Sequence, residues 1–167
     1  VERISTNLVA ERARITVPAL YRYFPNKYAV LNALGAALLD THNAVFQQWI
    51  DKYLRQDDPQ RLLGNIYELL KATYEVTRTQ IGGLQVLQAL RAVAPLQEVR
   101  LHTHRQIANQ FATIVGQLLT RPVDKLLRTQ ARLSVDSGYA VVEMALEDES
   151  LPTDTILREG SHMIELY

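Results

Sequence analysis

The stretch that decides the fold is residues 5–31, STNLVAERARITVPALYRYFPNKYAVL. Its spacing predicts two short helices joined by a tight turn and followed by a third helix. The apolar residues predicted to face inward are Val9, Ala13, Ile15, Leu20 and Tyr23. Small Ala10 falls where the two short helices are expected to cross most closely. Helices of about two turns bury little surface alone, so we expect these two to pack on each other or on a supporting helix.

Polar residues and prolines mark the ends of these helices. Ser5 and Thr16 are predicted to cap the first and second helices, because a hydroxyl there accepts a hydrogen bond from an unpaired backbone N–H. Pro18 suits the first turn of the second helix, where its missing N–H costs little. Pro25 ends that helix, and Asn26 is predicted to cap the third.

The second helix offers side chains suited to DNA, since a helix-turn-helix places this helix in the major groove. Val17 and Ala19 can contact a thymine methyl group, Tyr21 can donate to a phosphate, and Arg22 suits a phosphate or a guanine. Helix N-termini nearby attract phosphate as well. The predicted DNA contacts are Thr6, Arg14, Thr16, Val17, Pro18, Ala19, Tyr21, Arg22, Tyr23 and Lys27. The alternative is an ordinary helical hairpin in a solvent-facing bundle, with the YRYF segment as core aromatics.

Residues 6–34 resemble the DNA-binding head of the TetR family of transcriptional regulators. The resemblance lies in the pattern TxxVAxxA at residues 6–13 and ITxPxLYxYFxNKxAxL at residues 15–31. It implies an all-α fold, with a helix-turn-helix head (residues 1–34) on a helical-bundle body (residues 35–167). It also implies a repressor that leaves a palindromic operator when a small molecule binds the body.

The chain departs from that family in two places. Arg14 stands in the turn where the family usually has glycine, and a non-glycine residue in a left-handed conformation costs about 1 kcal/mol or more. Either the turn absorbs this strain or Arg14 offsets it with a phosphate contact. The family also carries a full helix before Thr6, where only four residues precede Ser5 here, so we expect a segment to be missing from this sequence.

Composition limits the classes of protein. The 167 residues contain no cysteine, which excludes a disulfide framework and thiolate chemistry and fits a cytoplasmic protein. No apolar run reaches the roughly 18 to 20 residues of a membrane span, and no signal peptide is visible. The formal net charge is zero, but residues 1–28 hold five basic and two acidic side chains, whereas residues 120–167 hold five basic and nine acidic. The positively charged segment, residues 1–28, can therefore bind phosphate groups.

The remainder of the chain has helical periodicity. Helices are predicted from residue 27 to about 55, from 59 to about 79, from 83 to 93 and from 95 to about 119, with Pro122 opening the next. Gly82 and Gly83 break the pattern. With no repeat, low-complexity tract or flexible linker, the body is expected to be one helical domain.

The last two predicted helices are apolar on several faces, which requires burial on several faces. Two such helices from each of two chains would form a four-helix dimer interface, as the family resemblance also implies. The predicted interface residues are Val135, Gly138, Tyr139, Val142, Leu146, Ile156, Leu157, Gly160, Met163, Ile164 and Tyr167. The alternative is a pair of helices packed inside one chain.

Aromatic and polar residues on otherwise aliphatic helices indicate a ligand pocket in the body, although such residues usually just satisfy hydrogen bonds in a core. The candidates are His42, Phe46, Trp49, Tyr53, Tyr67, Tyr74, Gln88, Arg91, Gln106 and Asn109. The predicted ligand is a hydrophobic or aromatic small molecule.

No residue pattern supports catalysis or a cofactor. His102 and His104 are two apart, so on a helix they point about 200° from each other, and we interpret them as a solvated or capping pair rather than as metal ligands. The sequence therefore predicts a homodimeric, ligand-responsive DNA-binding regulator. The alternative is a helical small-molecule sensor or interaction module that does not bind DNA.

Overall fold

A computed structural model describes residues 6–54 and 59–165, and this part of the chain consists of α-helices, one 3₁₀ turn and short connections. The helices are α1 (Thr6–Arg12), α2 (Val17–Tyr23), α3 (Lys27–Leu54), α4 (Pro59–Leu63), α5 (Ile66–Thr79), α6 (Gly83–Ala92), α7 (Gln97–Leu118), α8 (Lys125–Glu147) and α9 (Thr153–Glu165). The prediction of an all-α chain is confirmed. The helix from residue 27 to about 55 is confirmed as α3, which runs unbroken past the predicted domain boundary at residue 34.

The first two helices form as the sequence predicts. The Oγ1 of Thr16 accepts a hydrogen bond from the N–H of Ala19 (3.3 Å), and Oδ1 of Asn26 accepts one from the N–H of Ala29 (3.0 Å). These two bonds cap α2 and α3. Pro18 lies in the first turn of α2. The predicted cap at Ser5 lies outside the described residues.

The inward face of the α1 and α2 pair is smaller than the sequence predicts. Ala10 and Leu20 are buried, Val9 is half-buried, but Ala13, Ile15 and Tyr23 are exposed. Two helices of seven residues each cover too little surface to enclose five side chains. The exposure of Tyr21 and Tyr23 also excludes the alternative in which the YRYF segment supplies core aromatics.

The predicted helix over residues 59–79 is interrupted at Gly64 and Asn65, which separate α4 from α5. The side-chain amide of Asn65 donates to the carbonyl oxygen of Arg61, and the indole N–H of Trp49 donates to the carbonyl oxygen of Asn65 (3.0 Å). These bonds satisfy backbone groups that the interruption frees from the helix.

The later breaks fall close to their predicted positions. Gly82 has a φ of +72°, and a Cβ atom on Gly83 would lie 2.3 Å from the carbonyl oxygen of Thr77, so both positions suit glycine. The 3₁₀ turn Ala94–Leu96 precedes α7. Helix α8 begins three residues after Pro122, where Asp124 Oδ1 accepts from the N–H of Leu127 (2.8 Å).

The body has two clusters of buried apolar side chains. The larger cluster joins α3, α5, α7, α8 and α9 and includes Phe46, Trp49, Leu70, Phe111 and Val142. The smaller cluster joins α3 to α6 and the start of α7 through residues such as Leu31, Leu38, Leu87 and Leu90. Because α3 contributes to both clusters, it is the helix through which the N-terminal pair is attached to the body.

The last two helices bury most of their apolar surface inside the chain. Tyr139, Val142, Ile156, Leu157 and Gly160 are already buried within the single chain, and their assignment to a dimer interface stays a prediction. A Cβ on Gly160 would lie 2.5 Å from a Val141 side-chain atom, so the lack of a side chain at this position lets α8 and α9 pack closely.

Four more of the predicted interface residues are half-buried and pack within the chain, namely Val135, Gly138, Leu146 and Ile164. Met163 is exposed, and Tyr167 lies outside the described residues. The internal arrangement of α8 and α9 therefore accounts for most of their apolar pattern.

Candidate DNA interface and body cavity

The outer face of α2 carries the residues predicted to contact DNA. Tyr21, Arg22 and Tyr23 are exposed, as are Thr16 and Pro18 at the start of the helix. Thr16 caps this helix and the other four lie in its first two turns, near a helix N-terminus of the kind that attracts phosphate. This face can therefore contact both phosphates and base edges.

The remaining predicted contacts surround that face. Val17, Ala19, Thr6 and Lys27 are half-buried. The hydroxyl groups of Thr6 and Tyr21 are 3.0 Å apart and form a hydrogen bond between α1 and α2. This bond holds the Tyr21 hydroxyl in one place before any DNA arrives, and it was not predicted from the sequence because it joins residues 15 positions apart.

The turn between the two helices has the strained geometry expected where Arg14 replaces glycine. Arg14 has a φ of +55° and is exposed. The turn is held by hydrogen bonds from the N–H of Arg14 to the carbonyl oxygen of Glu11 (3.0 Å) and from the N–H of Ile15 to that of Ala10 (3.0 Å). The guanidinium group therefore lies free on the surface beside the start of α2.

Five helices of the body line an apolar cavity of about 80 Å³. Its lining residues are His42 and Phe46 of α3, Ile66, Leu69, Leu70 and Thr73 of α5, Ile107 and Phe111 of α7, Ser134, Val135, Gly138, Tyr139 and Val142 of α8, and Ile164 of α9. Ligand pockets usually measure roughly 300 to 1,000 Å³. In this conformation the cavity therefore has room only for a very small molecule or one end of a larger one.

Only His42 and Phe46 of the ten predicted ligand residues line this cavity. Trp49, Tyr53 and Tyr67 use their polar atoms elsewhere, bonding to Asn65, Glu68 and Asp154, and Tyr74 packs against the larger cluster. Their apolar surfaces belong to the core, which corrects their assignment to the pocket.

The other four predicted ligand residues are exposed. Across a surface groove between α6 and α8, Gln88 donates a hydrogen bond to Glu147 (2.8 Å) and Arg91 donates one to Glu143 (3.0 Å). Asn109 accepts a hydrogen bond from Arg128, and Gln106 lies on the surface of α7. In contrast, Val135, Gly138, Tyr139, Val142 and Ile164, predicted for a dimer interface, line the cavity.

Two buried histidines lie beside the cavity, one on each side of Tyr139. Its ring stacks on His104 with ring centres 4.1 Å apart and lies 5.6 Å from the centre of the His42 ring. Burial lowers the pKa of both histidines to about 4, and each is therefore neutral near pH 7. His104 Nδ1 bonds Asp136, so the interpretation of His104 as a solvated residue is wrong, whereas His102 is exposed.

Within residues 6–54 and 59–165, no group of three or more His, Cys, Asp or Glu side chains is arranged to hold a metal ion. No helix in the same ranges is both long enough and apolar enough to cross a membrane.

The capped, exposed second helix and the turn before it define a helix-turn-helix DNA-binding protein. A comparison with protein families matches residues 1–34 to the family described as bacterial regulatory proteins, tetR family. No curated protein matches the chain. The head of this chain is therefore similar to the DNA-binding head of the tetR family of helix-turn-helix transcriptional regulators.

Proposed function

We propose that this protein is a cytoplasmic, homodimeric repressor that leaves a palindromic operator when a small hydrophobic molecule enters the body cavity. In this proposal, residues 1–34 read one operator half-site and residues 35–167 bind the effector and the second subunit. The observation that carries the proposal is the exposed face of α2, where Tyr21, Arg22 and Tyr23 lie on the surface of a capped helix.

The position of the cavity supports a ligand response. His42 and Phe46 line it from α3, which is separated from the end of α2 by only three residues. His42 lies fifteen residues beyond Lys27, about 22 Å along a helix that rises 1.5 Å per residue. A ligand that widens the cavity must displace one of its walls, and a displacement of α3 is transmitted to the head. A preference of about 3 kcal/mol for the displaced state lowers operator affinity about a hundredfold.

An exposed stripe on α8 supports a homodimer. Leu133, Ser137, Ala140 and Met144 follow one another at helical spacings of four, three and four residues, and all four are exposed. Met163 of α9 adds a further exposed apolar side chain, 71% accessible. A matching stripe on a second chain would cover these residues in a symmetric interface. This interface uses a different face of α8 from the one predicted from the sequence.

The proposal is tested by fluorescence anisotropy of the full-length protein with DNA from upstream of its own coding region. We expect binding to a palindromic site that weakens steeply as salt rises, because contacts with phosphates release counterions. Equal affinity for that site and for random DNA at every salt concentration would instead favour the sensor or interaction module that does not bind DNA.

The dimer is tested separately by sedimentation of Ala140→Glu, which brings two negative charges, one from each chain, close together near the centre of the paired stripes only if the stripes meet. We expect the wild-type chain to sediment as a dimer and the variant as a monomer. The same substitution at exposed Ala72 of α5 is the matched control and should leave the dimer intact. A variant that remains dimeric places the interface on another surface.

A further inference from the structure

We propose that the body cavity selects a small neutral molecule with an apolar ring and one hydrogen-bond donor, such as a phenol. In this proposal, Nδ1 of His42 accepts a hydrogen bond from that donor. The inference rests on the proposed ligand response of the body. The observation behind it is that one ring nitrogen of His42, a residue that lines the apolar cavity, is buried and has no hydrogen-bond partner among the described residues.

Hydrogen bonds on the other side of the ring fix the neutral form of His42. The Oγ1 of Thr77 donates its only proton to the carbonyl oxygen of Thr73 (2.8 Å). The same oxygen lies 2.9 Å from Nε2 of His42, so it accepts the proton of that nitrogen. Nδ1 then carries a lone pair. The opposite tautomer would leave a buried N–H without an acceptor, which is rare in native proteins.

Nδ1 of His42 has no hydrogen-bond partner among the described residues, and the side chain is only 2% exposed. Buried polar atoms nearly always have a partner, because an unpaired one loses its hydration without compensation. Since His42 lines the cavity, a molecule placed there is the nearest source of that partner. A bare nitrogen accepts, so the partner must donate.

The other walls of the cavity exclude charged ligands. All of its lining side chains are uncharged, so a carboxylate or an ammonium group would lose its hydration with no opposite charge in contact. The hydroxyl of Thr73 already donates to the carbonyl oxygen of Leu69 (2.9 Å). The two other hydroxyl groups of the lining, those of Ser134 and Tyr139, have no hydrogen bond to a described residue. The ligand is therefore neutral and largely apolar.

The test compares phenol with toluene, which has nearly the same shape but no donor, by calorimetry on the full-length protein without DNA. In the wild-type chain we expect phenol to bind, and we expect His42→Phe to lower the ratio of phenol to toluene affinity about tenfold, the typical effect of one hydrogen bond. His102→Phe makes the same change at an exposed histidine and should leave the ratio unchanged. An unaltered ratio in His42→Phe, or no phenol binding up to its solubility limit, would overturn the proposal.

A second measurement does not depend on the folding of the variant. In the wild-type chain labelled with ¹⁵N, the Nδ1 resonance of His42 should move to lower frequency with phenol and stay in place with toluene. Anisole, which can only accept, should bind no more tightly than toluene, and a preference for anisole would reverse the assigned tautomer. If phenol binds through His42 but leaves operator affinity unchanged, the proposed ligand response fails while the cavity assignment stands.

Discussion

The head and the body of this protein depend on different kinds of packing. The head has two seven-residue helices with Ala10 and Leu20 as their buried apolar residues, and the side chains assigned to DNA lie on its surface. The body surrounds its cavity with side chains from five helices. The difference shows that local order is enough to form the surface predicted to contact DNA, whereas the cavity forms only when distant parts of the chain meet.

The two regions also differ in their titratable groups. All four histidines of the chain lie beyond residue 41, and the two buried ones belong to the body. His104 acts electrostatically on His42, and Asp136, Arg132 and Arg100 act electrostatically on His104. A change in pH between 4 and 6.5 therefore acts on the histidines of the body and on none in the head.

The largest expected effect is a loss of stability in acid. In the unfolded chain both histidines titrate near pH 6.5, but in the folded protein burial lowers their pKa to about 4. Between these values the unfolded state binds more protons, so the free energy of unfolding falls as pH drops from 6.5 to 4, by several kcal/mol for the pair. Urea unfolding at a series of pH values measures this slope.

The control for the pH series is the double variant His42→Gln and His104→Gln, in which the slope over this window should flatten. Glu143 contributes in the opposite direction, because burial raises the pKa of its carboxyl group. An equal slope in the wild type and the double variant would show that the histidines do not carry the effect.

The second effect concerns the head alone. Tyr21→Ala removes the side chain predicted to contact a phosphate and should weaken operator binding by about 1 to 3 kcal/mol while leaving the dimer intact. Tyr21→Phe keeps the ring but loses the hydroxyl that bonds Thr6, so it separates the polar contact from the packing. Anisotropy titrations give both affinities, and an unchanged affinity in Tyr21→Ala would show that another face of α2 meets the DNA.

The smallest expected effect comes from substitutions in the turn of the head. Arg14→Gly relieves a φ of +55° and should raise the free energy of unfolding of the head by about 0.5 to 1 kcal/mol. If Arg14 also contacts a phosphate, the same variant should lower the salt dependence of operator binding by about one phosphate contact. Arg14→Asn is the matched control, because asparagine tolerates the left-handed region but carries no charge.

The sequence predicts the head well because its signals are local. The cap at Thr16, the proline at position 18 and the cap at Asn26 each act within four residues, and all three are confirmed. The strained turn at Arg14 is confirmed for the same reason. The second positive φ outside glycine, at Thr120, was not predicted, since no motif marks that turn.

The cavity was predicted poorly because its lining depends on which faces of distant helices meet. The aromatic residues Trp49, Tyr53 and Tyr67 have the composition expected of a pocket, but their polar atoms bond within the core. The periodicity of α8 shows that several of its faces are buried, yet it does not show whether the covering surface belongs to the same chain or to another. The bare nitrogen of His42 depends on Thr77, 35 residues away.

The continuity of α3 has a consequence for exchanging heads between regulators. Helix α3 runs from Lys27 to Leu54, so the junction between head and body lies inside a helix and has a fixed rotational phase. One residue inserted between Leu34 and His42 would turn the head by about 100° and move it about 1.5 Å, whereas seven residues would restore its direction to within about 20°. A chimera of this protein must therefore keep the length of α3 as well as its sequence.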